Sequence, residues 1–412
     1  MEAGSAGRSR RLLVLGAGPA QLGLLAAARK RDLFVIALDR DPAAPGFRHA
    51  DRRAIVSTED EPGIERLARA EDVDGIIAPG IDWPVGIAAR VAERLGLPHP
   101  LAPETAVLAT SKVRQRQRLE QAGVPQPRSI VCTGAVEALA AAAQVGFPCV
   151  IKAPDQQGQR GLTLVPDERR LVSAVEIALD AARSGRLLVE ERVEGPEVTV
   201  NAFTTGGRFR PLTVTDRVTA APPAFGVALS HVWPSALQPE QIAGAIEAAA
   251  AAAAALGIEE GPTYTQVLVG AEGPVVGEIA ARLGGGHDAE LCRAALGVDL
   301  NGAAIAAALG DEVPAEALTP VALAGGACVR FLVAPVGELR DVTGLDEAYA
   351  LDGIRGIRIY RRRGHRFGPL LRGSDRAGAI LAVADSREQA LERVAKAEKL
   401  VRFETAEVPA LV

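Results

Sequence analysis

The chain has 412 residues, more than one hydrophobic core usually serves, so we expect two or three domains. Hydrophobic residues make up 48% and charged residues 24% of it, as in ordinary globular proteins. The formal net charge is −5, and aromatic residues make up only 3%. This composition argues against a protein that binds nucleic acid or an anionic membrane, because both partners attract a basic surface.

The cysteines and the first residues bear on the compartment. Four cysteines are scattered, without a C-x-x-C pair or histidines at metal-binding spacing, and we expect them to be reduced core thiols: Cys132, Cys149, Cys292 and Cys328. We expect no signal peptide, because no apolar run follows the opening "MEAGSAGRSR". The sequence therefore predicts a cytoplasmic protein, and it leaves the oligomeric state open, a homodimer included.

Strands and helices alternate in the first hundred residues. The apolar segments "RLLVL" (11–15) and "LFVIALD" (33–39) predict two strands, separated by the turn "GAGPAQLG" and a helix. This order is that of a βαβ unit in a parallel sheet. We therefore predict a disordered tail over 1–10 and a Rossmann-like domain over 11–102.

The glycines of "GAGPAQLG" allow more than one interpretation. They are Gly16, Gly18 and Gly23, and the last comes two residues late for a dinucleotide-binding G-x-G-x-x-G. A tight turn without a nucleotide, an NAD site with Asp39 on the ribose, and another anion site at the helix start all remain open.

The segment "VIKAPDQQGQRGLTLV" combines a lysine at a strand end with a glycine-containing loop. Backbone N–H groups of such a loop can cover phosphates, and Lys152 can meet them as a point charge. Further on, "LLVEERVEGPEV" sets Glu190 and Glu197 on either side of a turn. Free backbone groups there suit an adenine edge, and a carboxylate suits ribose hydroxyls. A lysine lying along the surface and a solvated acidic turn are the alternatives.

The segment "GEIAARLGGGHDAEL" places an acid, an arginine and three consecutive glycines together. Each glycine costs about 0.5–1 kcal/mol relative to alanine in a helix or strand, so local stability does not explain the run. Glu278 at the end of a hairpin can hold Mg²⁺, and Arg282 can neutralise a phosphoryl group or an oxyanion. A surface salt bridge beside a loop is the alternative.

The order of these pieces, with "SKVRQRQRLEQAGVPQP" before them, resembles the ATP-grasp superfamily. Within it the chain is similar to carboxylate–amine ligases such as carbamoyl phosphate synthase halves and L-amino acid ligases. The resemblance implies a mixed α/β and α+β fold, in which a Rossmann-like pre-ATP-grasp domain precedes an ATP-grasp domain over 103–315. It further implies a small mobile lobe at about 115–190 and a C-terminal lobe over 316–412 that completes the module.

The resemblance also implies roles for individual residues. Lys112 and Lys152 match the lysines that contact ATP phosphates, Glu278 a Mg²⁺ or Mn²⁺ ligand, and Arg282 the catalytic arginine. The implied nucleotide contacts are Lys112, Lys152, Gly158, Gln159, Arg160, Gly161, Glu190, Glu191, Val193 and Glu197, of which Lys152 is also expected to act in catalysis. The implied substrate contacts are His231, Gly284, Gly285, Gly286 and His287. From position alone, Asp82 and Trp83 are also expected to face the cleft.

Two positions depart from the family pattern. Gln266 stands where a second metal-ligating acid is usual, and Ala280 stands where many members have asparagine. An amide is a poorer Mg²⁺ ligand than a carboxylate. Coordination through the carbonyl oxygen of Gln266, weak binding of a second metal, and lost activity all remain open.

The function implied is an ATP-dependent carbon–nitrogen ligase that joins a small carboxylate, such as an amino acid, to an amine through an acyl phosphate. Rival interpretations are a purine-pathway or bicarbonate-using ATP-grasp enzyme, an NAD-dependent dehydrogenase and a non-catalytic nucleotide-binding protein. The expected partners are small-molecule carboxylates and amines, with neither nucleic acid nor membrane.

Overall fold

The computed structural model describes residues 8–407. Most of the predicted tail over 1–10 lies outside the described residues, as do residues 408–412. The first strand begins at Arg10, one residue earlier than the apolar pattern predicts. Among the helices of residues 8–407, none has the length and apolar composition needed to cross a bilayer.

The N-terminal region is a parallel sheet with the strand order β3-β2-β1-β4. Its central strands are apolar runs because helices and neighbouring elements cover both faces, as is usual for parallel sheets. The strands and helices are β1 (Arg10–Leu15), α1 (Leu22–Arg29), β2 (Leu33–Leu38), β3 (Arg52–Ala54), α2 (Glu61–Ala70), β4 (Gly75–Ile77) and α3 (Trp83–Leu95). The predicted βαβ unit is therefore present.

Two helices lead into a small antiparallel sheet with the order β5-β8-β6-β7. The elements are α4 (Pro103–Thr110), α5 (Lys112–Gln121), β5 (Ser129–Cys132), α6 (Ala135–Val145), β6 (Cys149–Lys152), β7 (Leu162–Val165), α7 (Leu171–Ala181) and β8 (Leu187–Glu191). The apolar faces of α6 and α7 pack on this sheet and form a core of its own. Residues 129–191 thus make up a small lobe.

The following segment builds most of a large antiparallel sheet. Its elements are β9 (Glu197–Thr205), β10 (Arg208–Thr219), β11 (Ala228–Trp233), α8 (Pro239–Ala255), β12 (Gly261–Gly270), β13 (Gly273–Ala280), α9 (Asp288–Leu296) and α10 (Leu300–Ala308). The alanine-rich helix α8 packs closely against β12 and β13, as its small side chains allow. β12 and β13 form the predicted hairpin, in which Gln266 lies opposite Glu278.

The C-terminal segment adds strands to the same large sheet. It comprises β14 (Gly326–Leu332), β15 (Gly337–Thr343), α11 (Leu345–Tyr349), β16 (Ile354–Ile359), β17 (Arg366–Phe367), β18 (Gly378–Ala384), α12 (Arg387–Leu400) and β19 (Arg402–Ala406). The large sheet has eight strands in the order β13-β12-β9-β10-β11-β14-β18-β16, and β17-β15-β19 form a separate small sheet. Strands on both sides of residue 316 therefore share one sheet.

Hydrophobic cores connect the N-terminal sheet to the rest of the molecule. Side chains of α1 pack with those of α9, α10 and β14 in one cluster, and the opposite face of the N-terminal sheet shares a cluster with α8 and β13. The four cysteines are buried and unpaired. The N-terminal and large sheets thus form one continuous body, on which the small lobe sits.

Candidate active site

A cleft of about 380 Å³ separates the small lobe from the large sheet. The β6 end, the loop after it and the β8 end line one side, and β9, β10, β12 and β13 line the other. The cleft is lined by these sequence-predicted residues: Lys112, Lys152, Gly158, Gln159, Arg160, Glu190, Glu191, Val193, Glu197, Gln266 and Glu278. Segments far apart in sequence are therefore brought together around one space.

Lys152 is held in place by a buried ion network. Its Nζ lies 2.7 Å from Glu190 Oε2, and Arg116 Nε lies 2.8 Å from Glu190 Oε1. Arg116 also donates to the carbonyl oxygens of Val276 and Gly277 on β13, at 2.9 and 2.6 Å. Burial alone would raise the pKa of Glu190, but Arg116 and Lys152 outweigh it and lower the pKa to about 2. The carboxylate therefore stays ionised and fixes Lys152 at the cleft wall.

Lys112 connects the small lobe to Glu278, the candidate metal ligand; we call the part of the cleft around Glu278 its metal-candidate end. Its Nζ lies 2.8 Å from Glu278 Oε1 and donates to the carbonyl oxygen of Gln156 at 2.7 Å. Burial opposes the charged form of Glu278, but Lys112 and Lys152 outweigh it and lower its pKa. Lys112 lies at the start of α5, where Ser111 accepts from the Arg114 N–H as the helix cap.

The metal-candidate residues provide oxygen donors from neighbouring strands. Gln266 on β12 is paired in register with Glu278 on β13, and both line the cleft. Among residues 8–407, no group of three or more His, Cys, Asp or Glu side chains converges to form a complete metal cage. One carboxylate and one amide suit Mg²⁺, which keeps waters and phosphate oxygens as its other ligands.

The far end of the cleft has a mixed polar and apolar wall. Glu190 turns inward to its cations, whereas Glu191 pairs with Arg128 at the surface at 2.6 Å. The chain beyond β8, including Val193, continues along the cleft wall. Glu197 Oε1 lies 2.7 Å from Arg217, whose other terminal nitrogen donates to the carbonyl oxygen of Gly226. The carboxylate of Glu197 is thus set by an arginine that the sequence pattern did not single out.

The loop after β6 bridges three parts of the molecule. Gly158 and Gly161 have φ values of +64° and +65°, which glycine adopts without strain, and Gln159 has φ +65° between them. The N–H of Asp82 donates to Gln157 Oε1 at 2.7 Å, and the N–H of Gly373 donates to the Gly158 carbonyl at 3.2 Å. Gly161 packs against α7 rather than lining the main cleft. The loop therefore closes the cleft against the N-terminal and C-terminal regions.

A second cavity of about 280 Å³ continues from the cleft, and we call it the chamber. It shares Gln266, Arg217 and the loop 157–160 with the cleft, and it contains Arg282. Asp82 Oδ1 accepts from Arg282 Nε at 2.7 Å and lies 2.6 Å from its Nη2. Arg282 therefore lines the chamber, and its charge also helps to lower the pKa of Glu278 in the cleft.

The three glycines allow a close approach of side chains. None of them has a positive φ, so backbone conformation does not explain their choice. A Cβ at Gly286 would lie 2.6 Å from His231 Cε1, and one at Gly284 would lie 2.6 Å from Tyr264 Cδ2. Such Cβ contacts do not occur without displacement of the neighbour. Gly285 and Gly286 line the chamber, and Gly284 is not among its lining residues.

The two candidate histidines are both buried but differ in position. His231 lines the chamber, and its Nδ1 lies 2.7 Å from Asp288 Oδ1, which also contacts Asn201. His287 lies between Glu290 at 3.0 Å and the Tyr360 hydroxyl at 2.5 Å, and it is not among the chamber-lining residues. His231 therefore presents its ring to the chamber, whereas His287 is held within the wall.

The glycines of the first turn have packing roles. Gly16 has φ +106° and lies against Gln21, whose Nε2 donates to the Pro79 carbonyl at 2.7 Å. Gly23 packs against Glu290 of α9. The Asp39 oxygens accept the N–H groups of Ala17 at 2.9 Å and Asp41 at 3.0 Å. These local bonds account for Asp39 without a ribose.

Several residues of the site carry no signal that the sequence pattern singles out. Arg116 follows Lys112 by four residues, and helical spacing alone could have placed both on one face. Asp288, Arg217 and Arg376 have no local signal, because their partners come from distant segments. Asp82 and Trp83, which are expected to face the cleft from their position after a parallel strand, are not among the residues that line it, and Asp82 instead contacts Arg282.

Two protein families match the chain. Residues 111–316 match the carbamoyl-phosphate synthase L chain, ATP binding domain, and residues 330–406 match the L-amino acid ligase C-terminal domain 2. An uncharacterised protein of Sinorhizobium fredii (strain NBRC 101917 / NGR234), y4rH, is 30% identical over 378 residues, which are 88% of this chain and 76% of that protein.

A second relative and a solved structure extend the comparison. The formate-dependent phosphoribosylglycinamide formyltransferase of Burkholderia pseudomallei is 29% identical over 184 residues, 44% of this chain and 45% of that enzyme. The L-amino acid ligase from Bacillus licheniformis has a TM-score of 0.82 at 20% identity, covering 98% of this chain and 100% of that one. At this identity the likeness establishes the fold alone, and it confirms the predicted fold class.

Proposed function

Because the chain belongs to the ATP-grasp superfamily, in the family of the carbamoyl-phosphate synthase L chain ATP-binding domain, we propose that it joins a small carboxylate to an amine at the expense of ATP. The carboxylate attacks the γ-phosphate, forming a carbon–oxygen–phosphorus link and releasing ADP. The amine nitrogen then attacks the activated carbonyl, forming the C–N bond, and inorganic phosphate leaves. An amino acid is the proposed carboxylate, which the match of residues 330–406 supports.

The nucleotide is proposed to lie in the cleft between the small lobe and the large sheet. Lys112 and Lys152 would meet its phosphates, and the N–H groups of Gly158 to Gly161 would cover them. The backbone around Val193 would meet the adenine, and Glu197 the ribose. The convergence of these residues on one cavity is the single observation that carries the proposal.

Mg²⁺ is the proposed metal, with Mn²⁺ as a chemical substitute. The residues fit one ion, because Glu278 provides a carboxylate oxygen and Gln266 an amide oxygen from the paired strand. The bound ion would supply charge neutralisation for the transferring phosphoryl group. Lys112 fixes the Glu278 carboxylate through its ion pair, which keeps the donor oxygen at the phosphate end of the cleft.

Arg282 is proposed to act at the reacting centre, together with Lys152. Its guanidinium is oriented by Asp82 and lines the chamber, which shares Gln266 and the loop 157–160 with the cleft. From there it would stabilise negative charge on the acyl phosphate and on the tetrahedral intermediate. His231, Gly285 and Gly286 would contact the substrate, and Gly284 and His287 would support them from within the wall. The loop over 155–161 would exclude water, which otherwise hydrolyses the acyl phosphate.

The chain is proposed to divide at residues 102 and 315, with a small lobe that moves over the nucleotide. The separate core of that lobe supports independent motion. The four buried, unpaired cysteines fit a reducing compartment such as the cytoplasm.

The experiment is an assay of ADP release with Mg-ATP, a panel of amino acids as carboxylates and a panel of amines. We expect ADP release that requires both a carboxylate and an amine, with one phosphate per ADP. NADH binding without Mg-ATP binding, measured by thermal shift, would instead support a dehydrogenase and contradict the proposal.

A purine-pathway reaction is the second candidate. The 29% identity over 184 residues to the formyltransferase favours it, although the match covers less than half of either chain. The same assay separates the two candidates, because formate and a ribonucleotide amine would replace the amino acid and the amine. Bicarbonate as the carboxylate is tested in the same panel.

A further inference from the structure

Two arginines of the chamber wall carry no counterion. The Arg376 guanidinium lies 3.7 Å from the Phe331 ring centroid, and its Nε donates to the Gly373 carbonyl at 2.7 Å. One Nη atom of Arg361 donates to the Ser374 carbonyl, also at 2.7 Å. Within residues 8–407, neither arginine has an ion pair, and the terminal nitrogens of Arg376 have no hydrogen-bond partner. Both side chains line the chamber that also contains Arg282.

The other charges of the chamber do not balance this pair. Arg217 and Arg282 have their own carboxylates, Glu197 and Asp82. Among the described residues that line the chamber, Asp39 is the one acid, and both of its oxygens accept backbone N–H groups. Arg160 belongs to the loop that the nucleotide proposal already uses. Asp41 and Asp375 act on Arg361 electrostatically without forming an ion pair with it. Among the described residues, the wall formed by Arg361 and Arg376 therefore has positive charge that no ion pair neutralises.

The environment of Arg376 makes this charge unusual. Burial lowers its pKa, Tyr360 opposes that effect, and Arg217 adds to it. Arg376 is half-buried, and a partly desolvated charge gains from an opposite charge that meets it. The Phe331 ring and the Gly373 carbonyl hold the planar guanidinium in one orientation, so its free edge is arranged for two parallel hydrogen bonds to a carboxylate or phosphate.

The position of Arg376 relates it to substrate rather than to nucleotide. Phe331 lies on the side of the chamber where His231 also packs, with ring centroids 5.6 Å apart. His231 in turn packs close to Gly286, which follows Arg282 by four residues in the chain. Lys152, Glu190 and Glu278 line the neighbouring cleft and are not among the chamber-lining residues.

We propose that Arg376, assisted by Arg361, binds an anionic group that a substrate carries in addition to the carboxylate activated beside Arg282. The group is a carboxylate or a phosphate, and the substrate is therefore an acidic amino acid or a phosphorylated small molecule rather than a neutral one. This inference rests on the proposed function, because it assigns the chamber to the substrates of that reaction.

The test compares two pairs of ligands that differ in charge: aspartate and asparagine have nearly the same size, whereas phosphoserine adds a phosphate to serine. Isothermal titration calorimetry in the presence of Mg-ADP measures binding of L-aspartate, L-asparagine, O-phospho-L-serine and L-serine. We expect at least one anionic ligand to bind about tenfold or more tightly than its neutral counterpart, the size expected of a charged hydrogen bond. Whether aspartate or phosphoserine shows the larger ratio distinguishes a carboxylate from a phosphate.

The variants assign the effect to Arg376. R376Q should abolish the preference for the anionic ligand, and R376K should keep part of it, because lysine retains the charge without the planar fork. R366Q removes an exposed arginine of β17 outside the chamber and should keep the preference in full. Melting curves and Mg-ADP affinity verify that each variant is folded. No anionic preference in the parent protein, or an unchanged preference in R376Q, overturns the inference.

A kinetic arm separates this inference from the proposed function. Hydroxylamine serves as a neutral amine, so the ratio of kcat/KM for aspartate and asparagine reports the carboxylate substrate alone. With one carboxylate held constant and the amine varied, kcat/KM reports the charge preference for the amine substrate. If no carboxylate supports ADP release but the binding preference depends on Arg376, the proposed ligase reaction fails and the anion site stands. If turnover occurs without any anionic preference in either position, the ligase stands and the anion site fails.

Discussion

The cleft and the chamber lie side by side, but they differ in whether the lysine and arginine side chains that line them form ion pairs. In the cleft, Lys112, Lys152 and Arg217 each have a carboxylate within 2.8 Å. Arg160, in the loop that both cavities share, has no ion pair among the described residues. In the chamber wall, Arg361 and Arg376 have none among the described residues. Paired cations are held in fixed positions before a ligand arrives, which suits a triphosphate of constant charge. An unpaired cation is neutralised only when a ligand supplies the negative charge, so such a cation can select a substrate by its charge.

Arg282 lines the chamber and also acts electrostatically on Glu278 of the cleft, and its removal should have the largest effect. Arg282→Ala should lower kcat by about 10²- to 10³-fold, because it deletes a donor aimed at charge that develops during the reaction. ATP affinity should change little, since the cleft cations remain. Steady-state ADP release and calorimetry with Mg-ATP measure the two effects.

Arg282→Lys is the matched variant for this prediction. It keeps the charge near Asp82 but loses the fork and should recover only part of kcat. Turnover in Arg282→Ala equal to that of the parent protein would contradict the assigned role.

The paired region predicts a large stability effect at Glu190. Glu190→Gln leaves Lys152 and Arg116 buried without their counterion, and we expect a loss of about 3–5 kcal/mol in the free energy of unfolding at pH 7. Urea unfolding measures it. Glu191→Gln changes an exposed pair next to it and should cost no more than about 1 kcal/mol. Equal losses in the two variants would remove the distinction between buried and surface pairing.

Glu190 should also make the stability of the protein depend on pH, with a loss of stability on acidification. The pKa of Glu190 is lowered to about 2 in the folded protein, below its value in an unfolded chain of about 4.3. Its stabilisation is therefore complete above about pH 4.3 and is lost as the pH falls toward 2. The stability difference between the parent protein and Glu190→Gln should shrink over this range. A difference that stays constant down to pH 3 would be inconsistent with a carboxylate that loses its charge on acidification.

A moderate effect is expected from adding charge at the metal-candidate end. Gln266→Glu places a second carboxylate opposite Glu278 and should raise the affinity for Mn²⁺ in the presence of ADP on the order of tenfold. Electron paramagnetic resonance of free Mn²⁺ measures this without turnover. Gln144→Glu makes the same change on the exposed face of α6 and should leave the affinity unaltered. Unchanged Mn²⁺ affinity in Gln266→Glu would place the ion elsewhere.

The smallest effect is expected outside both cavities. Arg183 of the small-lobe region pairs with Glu59 of the N-terminal region at 2.6 Å and stacks on Trp83. The pair is partly exposed, so Glu59→Gln should change the free energy of unfolding by less than about 1 kcal/mol. Chemical unfolding measures it, and a loss above about 2 kcal/mol would show that surface pairing holds the lobes together.

Local patterns in the sequence predict much of the fold. Apolar runs indicate β1 and β2, and the glycine turn with the spacing of "TYTQVLVGAEGPVVGEIAAR" indicates the β12–β13 hairpin. These elements are specified by neighbours in sequence. The strand order of the eight-stranded sheet has no such local signal, because β11 pairs with β14 and a long stretch of chain separates the two strands.

The residues of the candidate site also divide into those that a local sequence motif marks and those that only contacts between distant segments bring together. Lys152, Glu278 and Arg282 are identifiable because each lies within a motif whose spacing carries chemical meaning. Arg376 and the His231–Asp288 pair depend on contacts between distant segments, and no local spacing marks them. The three glycines are unusual in the sequence alone, but the reason for them lies in the side chains of His231 and Tyr264 against which they pack.

We propose that ATP and a carboxylate react in the cleft, assisted by Arg282, to form an acyl phosphate. Trapping with hydroxylamine tests it most directly, since an acyl phosphate is converted to a hydroxamate whichever amine is the natural substrate. With Mg-ATP and a panel of carboxylates, we expect hydroxamate formed in equal amount to ADP, and its loss in Arg282→Ala. ADP release without hydroxamate, for every carboxylate that stimulates it, would show that no acyl phosphate forms.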